Sequence, residues 1–245
     1  MGRGRTFVKN LLATLFWVAA WHIAAVSLEN FLLLPTPVQV LRQLGELMGE
    51  ADFWRITAVS IGRILLGAVG AMVLGTVLAV LTCASPVAEA LLRPVMTVIQ
   101  ATPVASFAIL VHLWIARDLV PALICGMMVL PVIHSNVAAG IRETDRQLLE
   151  MAGVYRLGKL RVLRRIWIPS VLPYFRAACN SSLGLGWKAG IAAEVLMVPQ
   201  LSIGRMIAES KLYLLTEDLF AWTLAVVVLS LLLQKIMLAL VKGGQ

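Results

Sequence analysis

Residues 64–88 read Ile-Leu-Leu-Gly-Ala-Val-Gly-Ala-Met-Val-Leu-Gly-Thr-Val-Leu-Ala-Val-Leu-Thr-Cys-Ala-Ser-Pro-Val-Ala, twenty-five positions without a charge. A helix needs about 20 mostly apolar residues to cross about 30 Å of hydrocarbon, so this stretch alone is long enough to span a bilayer. Similar runs lie on either side of it. Leu11–Leu28 precedes it, Pro94–Ala116 and Leu119–Ile141 follow, and Leu219–Val241 is broken only by Lys235. A further stretch, Ser170–Val198, carries charges inside it. Six spans and an all-α integral membrane fold are therefore predicted.

Composition agrees. Of 245 residues, 60% are hydrophobic and 14% charged, against about 45–50% and about 25% in soluble domains. Both departures point away from a water-soluble fold, and the apolar content excludes intrinsic disorder. Cys83, Cys125 and Cys179 lie in apolar runs without Cys-x-x-Cys spacing. They give neither a disulfide framework nor a metal signature and read as buried thiols. Leu11–Leu28 follows Arg3, Arg5 and Lys9 as a signal peptide would. It contains Trp17, Trp21 and His22 and no clean small-x-small cleavage site, so a retained helix is expected.

The net charge of +8 is explained by its placement. With the N-terminus inside, the inner segments are the N-terminus, the 83–93 turn, the 142–169 loop and the tail. They hold thirteen Lys/Arg, and the outer segments hold five: Arg42, Arg55, Arg117, Arg205 and Lys211. The positive-inside rule then puts both termini in the cytoplasm. The positive charge marks a membrane face, not a nucleic-acid surface. Outside, Leu34–Gly49 is too polar to span. Thr36 caps it, Pro37 suits the first helical position, and Val40, Leu41, Leu44, Leu47 and Met48 share a side, as in an interfacial helix. A second short outer element is expected at 199–217. Arg117-Asp118 forms a tight outer hairpin. No linker, repeat or low-complexity stretch divides the chain, so residues 1–245 read as one membrane domain with its core at about 50–240.

The 142–169 loop reads as two short helices. Thr144-Asp145-Arg146-Gln147 matches a capping box, and Leu148, Met151, Ala152 and Tyr155 recur at helical spacing. Gly158 is expected to close the first helix, placed at 145–157, in the left-handed conformation. Leu160, Leu163, Ile166 and Trp167 oppose Arg161, Arg164 and Arg165 in the second. The pattern fits either a lipid-anchored basic loop or a docking element for a cytoplasmic partner.

The stretch Glu150-Met151-Ala152-Gly153-Val154-Tyr155-Arg156-Leu157-Gly158, ending at Ile166-Trp167-Ile168-Pro169, resembles the EAA loop of ABC-importer permeases. The length from Glu150 to Pro169 also fits that loop. Leu33-Leu34-Pro35-Thr36-Pro37-Val38-Gln39-Val40, Asp52-Phe53-Trp54 with Ser60-Ile61-Gly62-Arg63, and Gly186-Trp187-Lys188-Ala189-Gly190-Ile191-Ala192-Ala193-Glu194-Val195 are similar to signatures of the nitrate/sulfonate/taurine-type subfamily. The resemblance covers about residues 30–240. Met151 departs from the usual Ala, and Arg156 stands where a Gly is usual. The resemblance implies a type I ABC-importer permease fold working as a homodimer in a bacterial inner membrane. It implies an ATP-binding cassette subunit that holds ATP and Mg, so that this chain has no cofactor of its own, and an external solute-binding protein. Glu150, Met151, Ala152, Gly153, Arg156 and Gly158 would then couple to the ATPase. The cargo would be a small nitrate-, sulfonate- or taurine-like anion, or a vitamin precursor such as a pyrimidine.

A charge near the bilayer centre costs about 2.5–3.5 kcal/mol on insertion scales, so Lys188 and Glu194 need a reason. Six residues apart, they do not share a helix face closely. Lys188, about eighteen residues along its span, either snorkels to the outer boundary or faces a pathway. Glu194 is the better functional candidate. Arg63 and Arg176 are expected as interface anchors. Gly184, Gly186 and Gly190 with neighbouring alanines permit close helix approach, either as plain packing or at a dimer interface lining the pathway. Gln100, Thr102 and Pro103 interrupt an apolar face and are further pathway candidates. His22, His112 and His134 show no ligand spacing.

The chain has no Gly-x-x-x-x-Gly-Lys-[Ser/Thr] phosphate loop, so ATP hydrolysis would belong to a partner. A self-contained secondary transporter would show an internal repeat and more buried titratable groups, and a membrane enzyme a clustered nucleophile, acid/base or metal set. Neither pattern is present. A purely structural subunit would leave the capped inner loop unexplained.

Overall fold

The computed structural model describes residues 2–28 and 33–242. Arg3, Arg5 and Lys242, whose charges enter the orientation reading, have side chains outside the described set. Among the described residues every regular element is a helix. In chain order these are α1 (Gly2–Ser27), α2 (Pro37–Met48), α3 (Ala51–Ala84), α4 (Pro86–Ala101), α5 (Val104–Val111), α6 (Val120–Arg142), α7 (Arg146–Val154), α8 (Lys159–Val162), α9 (Ile168–Met197), α10 (Ile203–Leu212) and α11 (Thr216–Lys242). A π-helical turn, Leu163–Trp167, joins α8 to α9 without leaving the helical region.

Three of these helices are long and apolar enough to cross a membrane: Ala51–Ala84, Val120–Arg142 and Thr216–Ile236. The sequence reading requires correction at the third span. Pro94–Ala116 is not one helix; α4 and α5 meet at 105°. Pro103 has no backbone N–H to continue the ladder and disfavours a helical Thr102, which is extended at ψ 125°. The expected 83–93 turn shrinks to Ser85, whose hydroxyl accepts from the Ala88 N–H at 3.4 Å to start α4. Pro94 lies inside that helix. Leu11–Ser27 is a shorter apolar helix, and α9 contains Arg176, Lys188 and Glu194, so neither joins the three.

The core forms where α3, α6 and α9 meet. Ile64, Ala68 and Ala71 pack with Cys125, Val129 and Ile133 and with Cys179, Leu183 and Trp187. Their backbones can approach because Gly67 faces Ala122: a Cβ there would overlap the Ala122 carbonyl oxygen. Gly186 likewise faces Cys125 and Val129, and Gly190 faces Ile64. Gly186 and Gly190 thus serve packing within the chain. A smaller apolar cluster seats α5 through Ala108 and Val111 on Val120, Ile124, Ala189 and Ala193.

At one end α11, α2 and α10 close over this core. Phe53 meets Trp222 with ring centroids 4.9 Å apart. Gln43 donates to Asp218 at 2.6 Å, and the Trp187 indole donates to the Val226 carbonyl at 3.2 Å. The predicted outer helix is present with its capping box: the Thr36 hydroxyl accepts from the Gln39 N–H at 3.4 Å, and the Gln39 side chain accepts from the Thr36 N–H at 2.8 Å. At the other end Arg142 pairs with Glu89 at 2.7 Å, tying the finish of α6 to the start of α4.

Candidate functional site

Helix α7 has nine residues, fewer than the about 12–15 at which an isolated helix becomes even marginal in water. Its ends supply what its length cannot. The cap is Asp145, not Thr144: the Asp145 carboxylate accepts from the Gln147 N–H at 2.8 Å, satisfying a donor the helix leaves free. The Thr144 hydroxyl instead donates back to the Gly140 carbonyl at 3.0 Å. The closing turn is likewise displaced from Gly158. Arg156 takes the left-handed conformation at φ 50°, whereas Gly158 is extended and precedes α8. The Leu157 N–H donates to Ala152 at 2.9 Å and the Arg156 N–H to Gly153 at 3.1 Å, the paired bonds of a Schellman closure. Helix 146–154 is therefore shorter than the predicted 145–157 and is fixed at both ends.

Its faces are unequal. Ala152 is buried, while Met151, Val154 and Tyr155 are 45%, 81% and 73% exposed. Glu150 is exposed and pairs with Arg146 at 3.3 Å, a surface ion pair of little energetic weight. Gly153 is exposed and leads directly into the closure. A rigid, capped helix thus presents an uncovered apolar patch. Because a left-handed Arg costs about 1–2 kcal/mol, Arg156→Gly is expected to stabilise the protein by about 1 kcal/mol after the extra chain entropy of Gly is charged against it. A melting temperature unchanged or lowered in detergent would contradict this.

A second site lies near the far end of α9. Glu194 is completely buried, and the partners of its carboxylate come from other parts of the fold. Arg63 of α3 reaches one carboxylate oxygen at 2.7 Å. Ser60 donates to the other at 2.9 Å, and the Gly204 N–H of α10 donates to the same atom at 3.2 Å. Ser60 also accepts from the Ile203 N–H at 2.9 Å. Arg63 donates to the Gln200 carbonyl at 3.2 Å and lies 3.8 Å from Asp118. Arg63 is therefore not an interface anchor: its side chain is 11% exposed and it neutralises Glu194. Gly204 permits the arrangement, since a Cβ there would overlap Glu194 and the Val195 backbone. The carboxylate accepts from the first turn of α10, where backbone N–H groups lack helical partners.

The remaining candidates are dispersed. Lys188 is exposed, on a different side of α9 from Glu194. Gln100 and Pro103 are exposed and Thr102 half-buried, all at the bend between α4 and α5. The structure gathers Arg63, Ser60 and Glu194 and leaves Gln100, Thr102, Pro103 and Lys188 apart. Arg63 was missed as Glu194's partner because the two are 131 positions apart. The signal available was two unlike charges in otherwise apolar spans.

Comparison with known proteins places these features. The family model described as binding-protein-dependent transport system inner membrane component matches residues 71–243. The taurine transport system permease protein TauC of Escherichia coli is 24% identical over 96% of this chain and 86% of its own length. The putative aliphatic sulfonates transport permease protein SsuC of Bacillus subtilis is 27% identical over 88% and 78%. The formylaminopyrimidine transport permease protein ThiX of Halalkalibacterium halodurans is 25% identical over 71% and 70%.

Proposed function

The chain belongs to the family of inner membrane components of binding-protein-dependent transport systems, and from that premise we propose that it is the permease subunit of an ATP-driven importer. The observation that carries the mechanism is the doubly capped helix 146–154 with its uncovered Met151, Val154 and Tyr155. In this reading the helix seats in a groove of a separate ATP-binding subunit, which holds ATP and Mg. Glu150, Met151, Ala152, Gly153, Arg156 and Gly158 form or shape the contact. A capped helix passes displacement on, whereas an uncapped segment of nine residues would absorb it.

Two copies of the permease, each a single domain over residues 1–245 with six spans and both termini cytoplasmic, enclose the pathway. The bend at Gln100, Thr102 and Pro103 supplies part of its wall, and Lys188 is a further candidate. An external binding protein delivers the solute. The cargo is a small solute, either taurine or a related sulfonate or a vitamin precursor such as a pyrimidine, as the names of the relatives indicate for those proteins.

Co-purification of the tagged chain with its ATPase subunit, combined with uptake of labelled taurine into cells, tests this. Glu150→Trp and Ala152→Trp are expected to lose uptake by at least tenfold, with loss of the ATPase subunit or of solute-stimulated ATP hydrolysis. Normal uptake by both variants would remove the docking assignment. A chain that purifies alone and is indifferent to ATP would return the molecule to secondary transport.

A further inference from the structure

Between the far half of α3, α6 and the beginning of α9 lies an open groove of about 760 Å³. Val73, Val77 and Val80 form one wall and Ile168, Leu172 and Phe175 the other. The Thr76 hydroxyl on its wall already donates to the Met72 carbonyl at 2.7 Å, so that group is not a free donor to a ligand. The lining runs from Met72 to Ala84 on α3 and from Leu163 to Phe175 along the π-helical turn and the start of α9. At 1.5 Å per residue each wall is about 18 Å long, close to the roughly 15 Å of one hydrocarbon leaflet.

The end of the groove is basic. Arg164 lies one turn before Ile168 on the same side of the helix, with Arg161 a turn earlier and Arg165 beside it. All three and Lys159 are exposed. Among the described residues no acid lies within ion-pair reach of them, while Arg42, Arg63, Arg142, Arg146 and Arg205 each have one. Trp167, half-buried on the groove wall, stands at the junction of apolar and charged surface, where indole rings favour a headgroup boundary. The π-helical turn at Leu163–Trp167 carries both features. It presents Leu163 and Trp167 to the groove and Arg164 and Arg165 next to it.

We propose that this groove is a binding site for one anionic phospholipid. An acyl chain lies along Val77, Val80, Leu172 and Phe175, and the phosphate is held by Arg161, Arg164 and Arg165. A one-leaflet length of apolar wall ending in unpaired guanidinium groups matches a lipid at both its ends. Neither a soluble anion nor an acidic protein surface would use the apolar part. The site does not depend on ATPase docking, and its test reads lipid directly.

The full-length chain, purified in mild detergent, is titrated with phosphatidylglycerol or phosphatidylcholine and weighed by native mass spectrometry. Phosphatidylglycerol is expected to bind at least tenfold more tightly. The Arg161→Gln/Arg164→Gln/Arg165→Gln variant should lose this preference, at roughly fivefold per basic residue removed. Ala84→Trp, which places an indole at one end of the groove, should reduce binding of both lipids. If the triple variant fails to fold, Arg164→Gln alone is measured for its fivefold share. Equal retention of the two lipids by the native chain, or an unchanged preference in the variants, overturns the proposal. A Val80→Cys chain that cross-links to a second copy in native membranes overturns it in favour of that copy.

Discussion

Glu194→Ala is expected to melt roughly 10 °C below the native chain in detergent. The carboxylate is completely buried and accepts from Arg63, Ser60 and Gly204. Its removal leaves an 11% exposed guanidinium with only the half-exposed Asp118, 3.8 Å away, as counter-charge, and breaking a buried pair from one side costs about 3–5 kcal/mol. At about 2–4 °C per kcal/mol for a chain of this size, that shift follows. Removing both charges together, as Arg63→Met/Glu194→Leu, should cost much less than the single change. Buried pairs cost nearly as much to desolvate as they return, whereas an orphaned charge returns nothing. A Glu194→Ala melt within 2 °C of native would show that the pair does not hold α3, α9 and α10 together.

Gly67→Ala is expected to be the most damaging single methyl in the fold. It drives a Cβ into the Ala122 carbonyl oxygen, and that atom belongs to backbone that cannot rotate aside. Separating α3 from α6 opens the main core, so a loss of about 3 kcal/mol or more is expected, at the upper end of overpacking costs. Gly70 is the internal control. It lies on the same helix one turn away, and a Cβ there meets nothing within 4 Å. Gly70→Ala should therefore gain up to about 1 kcal/mol through helix propensity alone. If both variants melt alike, the close approach of α3 and α6 is not what sets stability.

Apolar runs identified the principal helices because charge exclusion is a property of the segment itself. They did not mark helix ends. Helix α3 begins at Ala51, and Asp52, Arg55 and Arg63 lie within it. Those charges hid thirteen helical residues ahead of Ile64. Pro103 was visible, yet a proline is compatible both with a kinked span and with the 105° bend observed. Only packing of α5 on Val120 and Ala193 distinguishes the two. At the inner loop Thr144 and Asp145 are both good caps. The Thr hydroxyl bonds to Gly140 on the preceding helix, and that leaves the task to Asp145. Gly158 offered the easiest left-handed residue, but the chain closes at Arg156, where the Ala152 and Gly153 carbonyls are in reach. The Arg63–Glu194 pair had no local signature, since its partners meet only when α3 and α9 pack.

From Lys159 through the π-helical turn to Met197 the backbone is one uninterrupted helical run of thirty-nine residues. Its first residue lies three positions after left-handed Arg156, and its last turns hold the clasp on α10. As one helical rod the run links Lys159 to the Glu194 clasp over about 50 Å. At about 1.5 Å per residue, a tilt of about 5° at the Lys159 end sweeps Glu194 through about 5 Å. That is about the rise of one helical turn, enough to part Glu194 from Ser60 and Arg63 unless α3 moves with it.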